Sequence, residues 1–275
     1  MRLAPGFIGR ENRGAMVVRE LDGRWTLIRQ FDHAQQAGAL ASAWSEGPFG
    51  PLHPGLIAAA RLHDIGWRTW DERPAVDPDT GGPANFPKVA DTHHSGFYEA
   101  GIREVAAHDP YAGYLVSLHA TGIYSGRFGW SGLEQVAWPS IGEAGRQFLA
   151  GQVEYRRGLL GAVQERYPEV AEFATTWNDY MLLQTFDYLS LQCCLGVASE
   201  GCAPVPLGAQ PSRLHVRRIS PWEVELDPFP FPGTRLEVPV PFRVLSGRFQ
   251  GQDDLAEALT GVGEETATTA YVARS

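Results

Sequence analysis

Lysine is nearly missing from this chain. Lys88 is the only one, so arginine supplies almost all of the 23 Lys and Arg residues. Against them stand 32 acidic residues and a net charge of −9. That balance argues against a general nucleic-acid surface, which needs a basic face. Cysteine is scarce too: Cys193, Cys194 and Cys202 are an odd number without metal-type spacing. They exclude a disulfide framework and read as free, buried thiols in a reducing cytoplasm. No apolar run approaches the roughly 18 residues that span a bilayer. The segment Met1 to Arg19 has no apolar stretch of the kind a secretory signal carries. Repeats and low-complexity tracts are absent. The expectation is a cytoplasmic globular protein with a small-molecule substrate, without nucleic-acid or membrane partners, and compatible with a homo-oligomer.

What is present is a series of helical patterns framed by β-type segments. After a Gly- and Arg-containing start (1–14), Met16 to Leu21 and Arg24 to Ile28 flank Asp22-Gly23, a type I′ hairpin signal. Asp32 is placed to cap a helix through Trp44 that ends at Gly47-Pro48. A second helix is predicted from Pro54 to Ile65, stopped by Gly66. Residues 68–91 read as a long irregular loop and a candidate substrate wall. Thr92 opens a third helix, Asp109-Pro110 a fourth, and Ser140 to Glu143 a capping box before a fifth. A last helix is predicted over Pro168 to Leu195. From about 204 prolines accumulate. Short alternating runs follow at Leu214–Arg218, Trp222–Leu226, Leu236–Val240, Phe242–Leu245 and Thr269–Val272, with a short helix from Asp253 to Leu259. The expected fold class is α+β, with a helical core (31–200) beside a small antiparallel β lobe. The N-terminal hairpin (1–30) and the C-terminal strands (201–275) form that lobe.

The chemistry concentrates on the helices. His63 and Asp64 end an apolar run and border its buried face. Asp187 is the single charge between Tyr180 and Leu195, and a lone carboxylate on an apolar helix face needs a cation. His33 sits at a helix start. His94 shares a stripe with Phe97, Tyr98 and Ile102, whereas His93 shares one with Ala100 and Glu104. His94 is therefore taken as the inward residue. His119 faces the core of the fourth helix. His53, His108 and His215 fall in loop or strand contexts and are set aside. Each residue alone has a plainer reading: a cap, a hydrogen-bonded core histidine, or an ion pair between Asp187 and Arg61 or Arg103. Together they offer imidazole and carboxylate without thiolate, which suits iron, manganese, zinc or nickel.

In order, His33, His63-Asp64, His94, His119 and Asp187 resemble the HD-domain metalloenzyme superfamily. Its motif is a histidine, a His-Asp pair and a distal aspartate on separate helices, and dinuclear members add two histidines in between. The continuation Asp64-Ile65-Gly66 is similar as well. The resemblance covers roughly residues 30–195 and implies a mainly helical HD-type bundle. It also implies two divalent transition-metal ions, iron foremost, with Asp64 bridging them and orienting an attacking water.

Most of that superfamily hydrolyses phosphoesters, so the first expectation is a metal-dependent phosphohydrolase or phosphodiesterase. Phosphate would need cations, and Arg61, Arg68, Lys88 and Arg127 are the candidates. Trp67 and Tyr98 are further candidates for substrate contact. The alternative is a mixed-valent di-iron oxygenase that cleaves a C–C or C–P bond in a small polar substrate. Trp67 stands where the cyclic-dinucleotide branch places a lysine, and that branch's second signature is missing, which keeps the oxygenase open. A non-catalytic metal-binding or sensing module is the third reading.

Overall fold

The computed structural model describes residues 16–89, 91–126, 141–170, 172–196, 200–207 and 210–275. The opening residues 1–14, Arg127 and the capping Ser140 lie outside them. Strands β1 (Val17–Leu21) and β2 (Arg24–Ile28) form the expected hairpin. Asp22 and Gly23 have φ of 52° and 72°, the left-handed pair that a type I′ turn requires.

Helix α1 (Gln30–Ser45) begins three residues earlier than the sequence pattern suggested. Asp32 is not its cap. It lies in the first turn and binds Arg29 at 2.5 and 3.2 Å. The cap comes from far along the chain: the Asp71 carboxylate accepts from Gln30 N at 2.9 Å and Phe31 N at 3.0 Å. Helix α2 (Pro54–Leu62) stops before His63, and a 3-10 turn follows over Ile65–Trp67. A side chain at Gly66 would collide with the Phe97 carbonyl, so the glycine permits this turn to touch the third long helix.

The stretch after it is not structureless. It contains α3 (Arg68–Asp71) and a 3-10 turn at Phe86–Lys88. Single bridges tie Asn85 to Met16 and Val76 to Pro83. Then come α4 (Asp91–His108), α5 (Pro110–Tyr124), α6 (Glu143–Arg166) and α7 (Phe173–Cys194). Asp109 caps α5 as expected, accepting from Tyr111 N and Ala112 N.

The β part differs most from expectation. It is no small antiparallel lobe beside a mainly helical bundle. One curled, mixed, seven-stranded sheet runs in the order β1-β2-β6-β7-β5-β4-β3. Its remaining members are β3 (Glu200–Leu207), β4 (Gln210–Ser220), β5 (Glu223–Asp227), β6 (Arg235–Ser246) and β7 (Glu265–Ala273), with α8 (Gln252–Thr260) before the last. The β5–β7 pair is parallel.

Prolines explain the misreading. Pro241 divided the expected runs Leu236–Val240 and Phe242–Leu245, yet β6 runs through both Pro239 and Pro241. There β6 pairs with β7, and its pairing with β2 covers only Arg243 to Ser246. The missing N–H groups thus fall where no second neighbour needs them. Pro204 and Pro206 hid β3 altogether, and β3 is an edge strand, where proline is tolerated.

Helices and sheet share one core. A single cluster of buried residues joins Trp44, Leu115, Tyr180 and Phe186 from the helices to Leu214, Val224, Val240 and Tyr271 from the strands. Helix α1 lies on β6, and α7 lies on β3 and β5. Trp44 is fully buried and stacks edge-on against Phe186 of α7 and Phe231 of the β5–β6 connection. Trp44→Ala should destabilise the protein by about 3–5 kcal/mol, the usual cost of emptying such a site. Denaturant unfolding followed by helix and sheet signals should show both transitions moving together.

Candidate metal centre

Five helical segments deliver their polar residues to one end of the bundle. His33 is in the first turn of α1, His63 follows the last residue of α2, and Asp64 precedes the 3-10 turn. His94 lies in the first turn of α4, His119 in α5 and Asp187 in α7. All six side chains are buried, from 1% exposed for His33 and His119 to 5% for Asp64.

His33 Nε2 lies 3.1 Å from Asp187 Oδ1 and 4.0 Å from Asp64 Oδ2. His63 Nε2 lies 3.5 Å from Asp64 Oδ2 and 3.8 Å from Asp187 Oδ1. An ion bound at about 2.1 Å separates neighbouring donors by about 3.0–3.4 Å and opposite ones by about 4.2 Å. These four His–Asp separations fall within that range. His33, His63 and Asp64 form the tightest set, with ligand atoms all within 4.8 Å of one another. Close by, the His119 ring centroid is 4.8 Å from that of His63. His94 is 4.8 Å from Tyr98 and 5.5 Å from Trp67. His93 is half-buried and packs on Trp70 instead.

Hydrogen bonds set the histidines' outward nitrogens. His63 Nδ1 is 2.9 Å from the Ala60 carbonyl. A carbonyl only accepts, so Nδ1 carries the proton and Nε2 keeps its lone pair. That Nε2 is buried and has no hydrogen-bond partner, which is costly unless a cation takes it. His33 Nδ1 is 2.7 Å from Ser190 Oγ. Ser190 in turn donates to Gln36 Oε1 at 2.6 Å. Gln36 Nε2 donates to Thr269 Oγ1 at 2.7 Å, and Thr269 donates to the Val238 carbonyl at 2.7 Å. The series runs in one direction, from α1 through α7 into β7 and β6. It leaves Ser190 to accept from His33 Nδ1, again freeing Nε2 for the centre. His94 Nδ1 meets Tyr124 OH at 2.7 Å.

Tyr98 OH donates to Asp64 Oδ1 at 2.7 Å, turning Oδ2 toward the two histidines. Without a metal, two buried carboxylates need another positive charge. Burial, the largest single influence, lowers the basicity of His33, but hydrogen bonding and charge from Asp187 and Cys194 together outweigh it and raise it to about 10. A divalent ion at the same point would displace that proton.

A cavity of about 20 Å³ adjoins the cluster. Its lining includes His33, Asp64, His94, His119 and Asp187, together with Gln30, Trp67, Phe86, Tyr98, Ile123 and Leu191. Trp67 and Tyr98 thus border a space that, at this volume, has room for about one water. The proposed cations do not. Arg61 is exposed on α2, its Cβ stem against Gly38 of α1. Arg68 pairs with Glu104 at 3.6 Å, and Lys88 with Asp77 and Asp79 at 2.6 and 3.2 Å. Arg127 is not among the described residues.

Ser190 and Gln36 were not expected at the site, although spacing could have found them. Ser190 is three residues after Asp187, and Gln36 three after His33, so each pair shares a helix face. Gln30 and Phe86 gave no such signal.

No curated protein and no solved structure matches the chain. The chain belongs to a protein family of unknown function, DUF3891, whose model matches residues 16–247. The matched span includes every candidate ligand.

Gln36→Leu or Ser190→Ala should loosen His33 without removing any candidate ligand. Each should weaken metal binding roughly 10- to 100-fold, the usual effect of losing such a supporting partner. Competition with a chelator of known affinity measures it. Unchanged affinity in both variants would mean that the series does not position His33.

Proposed function

We propose that this member of a family without known function is a metal-dependent enzyme whose centre is similar to that of HD-domain metalloenzymes. The observation that carries this is the buried convergence of His33, His63, Asp64 and Asp187, with a fixed and orphaned Nε2 on His63. These four would hold a first ion, and His94 and His119 are the candidates for a second. A bound transition metal would supply Lewis-acid activation of water or, as iron, one-electron chemistry with dioxygen.

The chain's own groups define what that chemistry acts on. Asp64 Oδ2 and Asp187 Oδ1 present carboxyl oxygens at the centre. Tyr98 fixes the Asp64 carboxylate. Trp67, Phe86, Ile123 and Leu191 keep bulk water from the cavity.

Two reactions fit such a centre. Hydrolysis of a small phosphoester would use metal-activated water. Oxidative cleavage of a small polar substrate is the second, and the lining favours it. Among the described residues, no arginine or lysine lines the cavity, so a phosphate would find no bidentate partner there. The lining does include a buried acceptor, Gln30 Oε1, and a buried donor, the Trp67 indole N–H, neither with a hydrogen-bond partner. A neutral hydroxyl group could satisfy both, because a hydroxyl donates and accepts. The space of about 20 Å³ has room for one such group, so the rest of a substrate would have to lie outside it.

Asp64→Ala and Asp187→Ala should each lose most bound metal and all metal-dependent turnover. With iron-loaded protein, small polyols should stimulate oxygen uptake, and a phosphomonoester panel should release no phosphate. Measuring both readouts side by side decides the matter. Metal-dependent phosphate release that disappears in Asp64→Ala would establish the hydrolase and sink the neutral-substrate reading.

A further inference from the structure

A second and much larger cavity lies on the outer side of the first turn of α1. Its volume is about 850 Å³, within the roughly 300–1,000 Å³ of ordinary small-molecule sites. The inner cavity is bordered by Gln30 and His33, the outer one by Arg29 and Asp32. Asp71 lines the outer cavity and holds the Gln30 and Phe31 amides. One helical turn therefore divides the two spaces.

The walls of the outer cavity differ from those of the metal centre. Met16, Leu27, Phe242, Leu259 and Val262 give an apolar interior between the hairpin, β6 and α8. The charged groups at its border are mostly satisfied within the protein. Arg29 is taken by Asp32 at 2.5 Å and Glu264 at 3.3 Å. Asp71 is taken by the two backbone amides. Arg73 and Arg243 remain. Both line the cavity, and among the described residues neither side chain has an ion pair or a hydrogen bond. Among the described residues two carboxylates there have no ion pair: Glu72, exposed at the border, and Asp71, which the backbone amides hold.

We propose that this cavity binds an amphipathic anion: a compact apolar body carrying one carboxylate, sulfonate or similar group. The apolar body would displace water from the hairpin–α8 interior, and the anionic head would meet the Arg73 and Arg243 guanidiniums, which suit oxyanions through paired N–H donors. Neither arginine is among the residues that converge on the metal centre, so the proposal does not depend on the metal reading. A ligand here would press on the same turn of α1 that carries His33.

The test uses the full chain stripped of metal, with 8-anilinonaphthalene-1-sulfonate as probe and octanoate as competitor. Fluorescence titration should show one saturable site per chain, with octanoate displacing the probe and octanol displacing it far less. The double variant Arg73→Glu/Arg243→Glu should weaken probe binding by about tenfold or more, as expected on losing charge-assisted hydrogen bonds. Ala256→Trp on α8, which fills the cavity from its exposed side, should abolish saturable binding. Both variants should keep the parent's melting temperature and metal uptake, which separates this result from any failure of the metal centre. Non-saturable binding, or saturable binding untouched by both variants, would overturn the proposal.

Discussion

Two carboxylates buried at the meeting point of the helices set the terms for the rest of the molecule. Asp64 and Asp187 lie in a space from which water is largely excluded. Uncompensated charge there would cost several kcal/mol. Without a metal, a protonated His33 beside Asp187 supplies positive charge at this point, and on the proposed reading a divalent cation would take that place. The Ala60 carbonyl and Ser190 hold His63 and His33 in the matching orientation.

That requirement reaches into the sheet. Gln36 is wedged between Ser190 and Thr269, and Thr269 is fastened to β6. All three side chains are almost fully buried. A polar series of this kind is stabilising only when each member is satisfied, which explains why helices and strands share one core here. The curled sheet is the wall that holds α1 and α7 in register, and those two helices carry His33 and Asp187.

The parts of this architecture that were legible in the sequence are the ones with local causes. Asp22-Gly23 announced its turn because few residues tolerate left-handed φ. Asp109-Pro110 announced α5 through a local cap. His94 could be preferred over His93 because a helix stripe separates adjacent residues. Asp187 stood out as one charge on an apolar face. The rest depended on partners distant in sequence. The true cap of α1 is Asp71, some 40 residues away, so Asp32 looked like the cap by proximity. The sheet was read as a small lobe because prolines are local breakers. Only the strand order shows that Pro204 and Pro206 lie on an edge, and that Pro239 and Pro241 lie where β6 has one neighbour. Arg68 and Lys88 looked available for phosphate because sequence distance says nothing of Glu104, Asp77 or Asp79.

The central claim is that this chain holds a transition metal at His33, His63, Asp64 and Asp187. The most direct test is elemental analysis of protein purified without chelator, combined with X-ray absorption at the edge of whichever metal is found. The account predicts stoichiometric metal with a shell of nitrogen and oxygen ligands at about 2.0–2.2 Å, imidazole scattering, and no sulfur. Metal-free protein that takes up no ion under any loading condition, or a metal bound through cysteine sulfur, would contradict it.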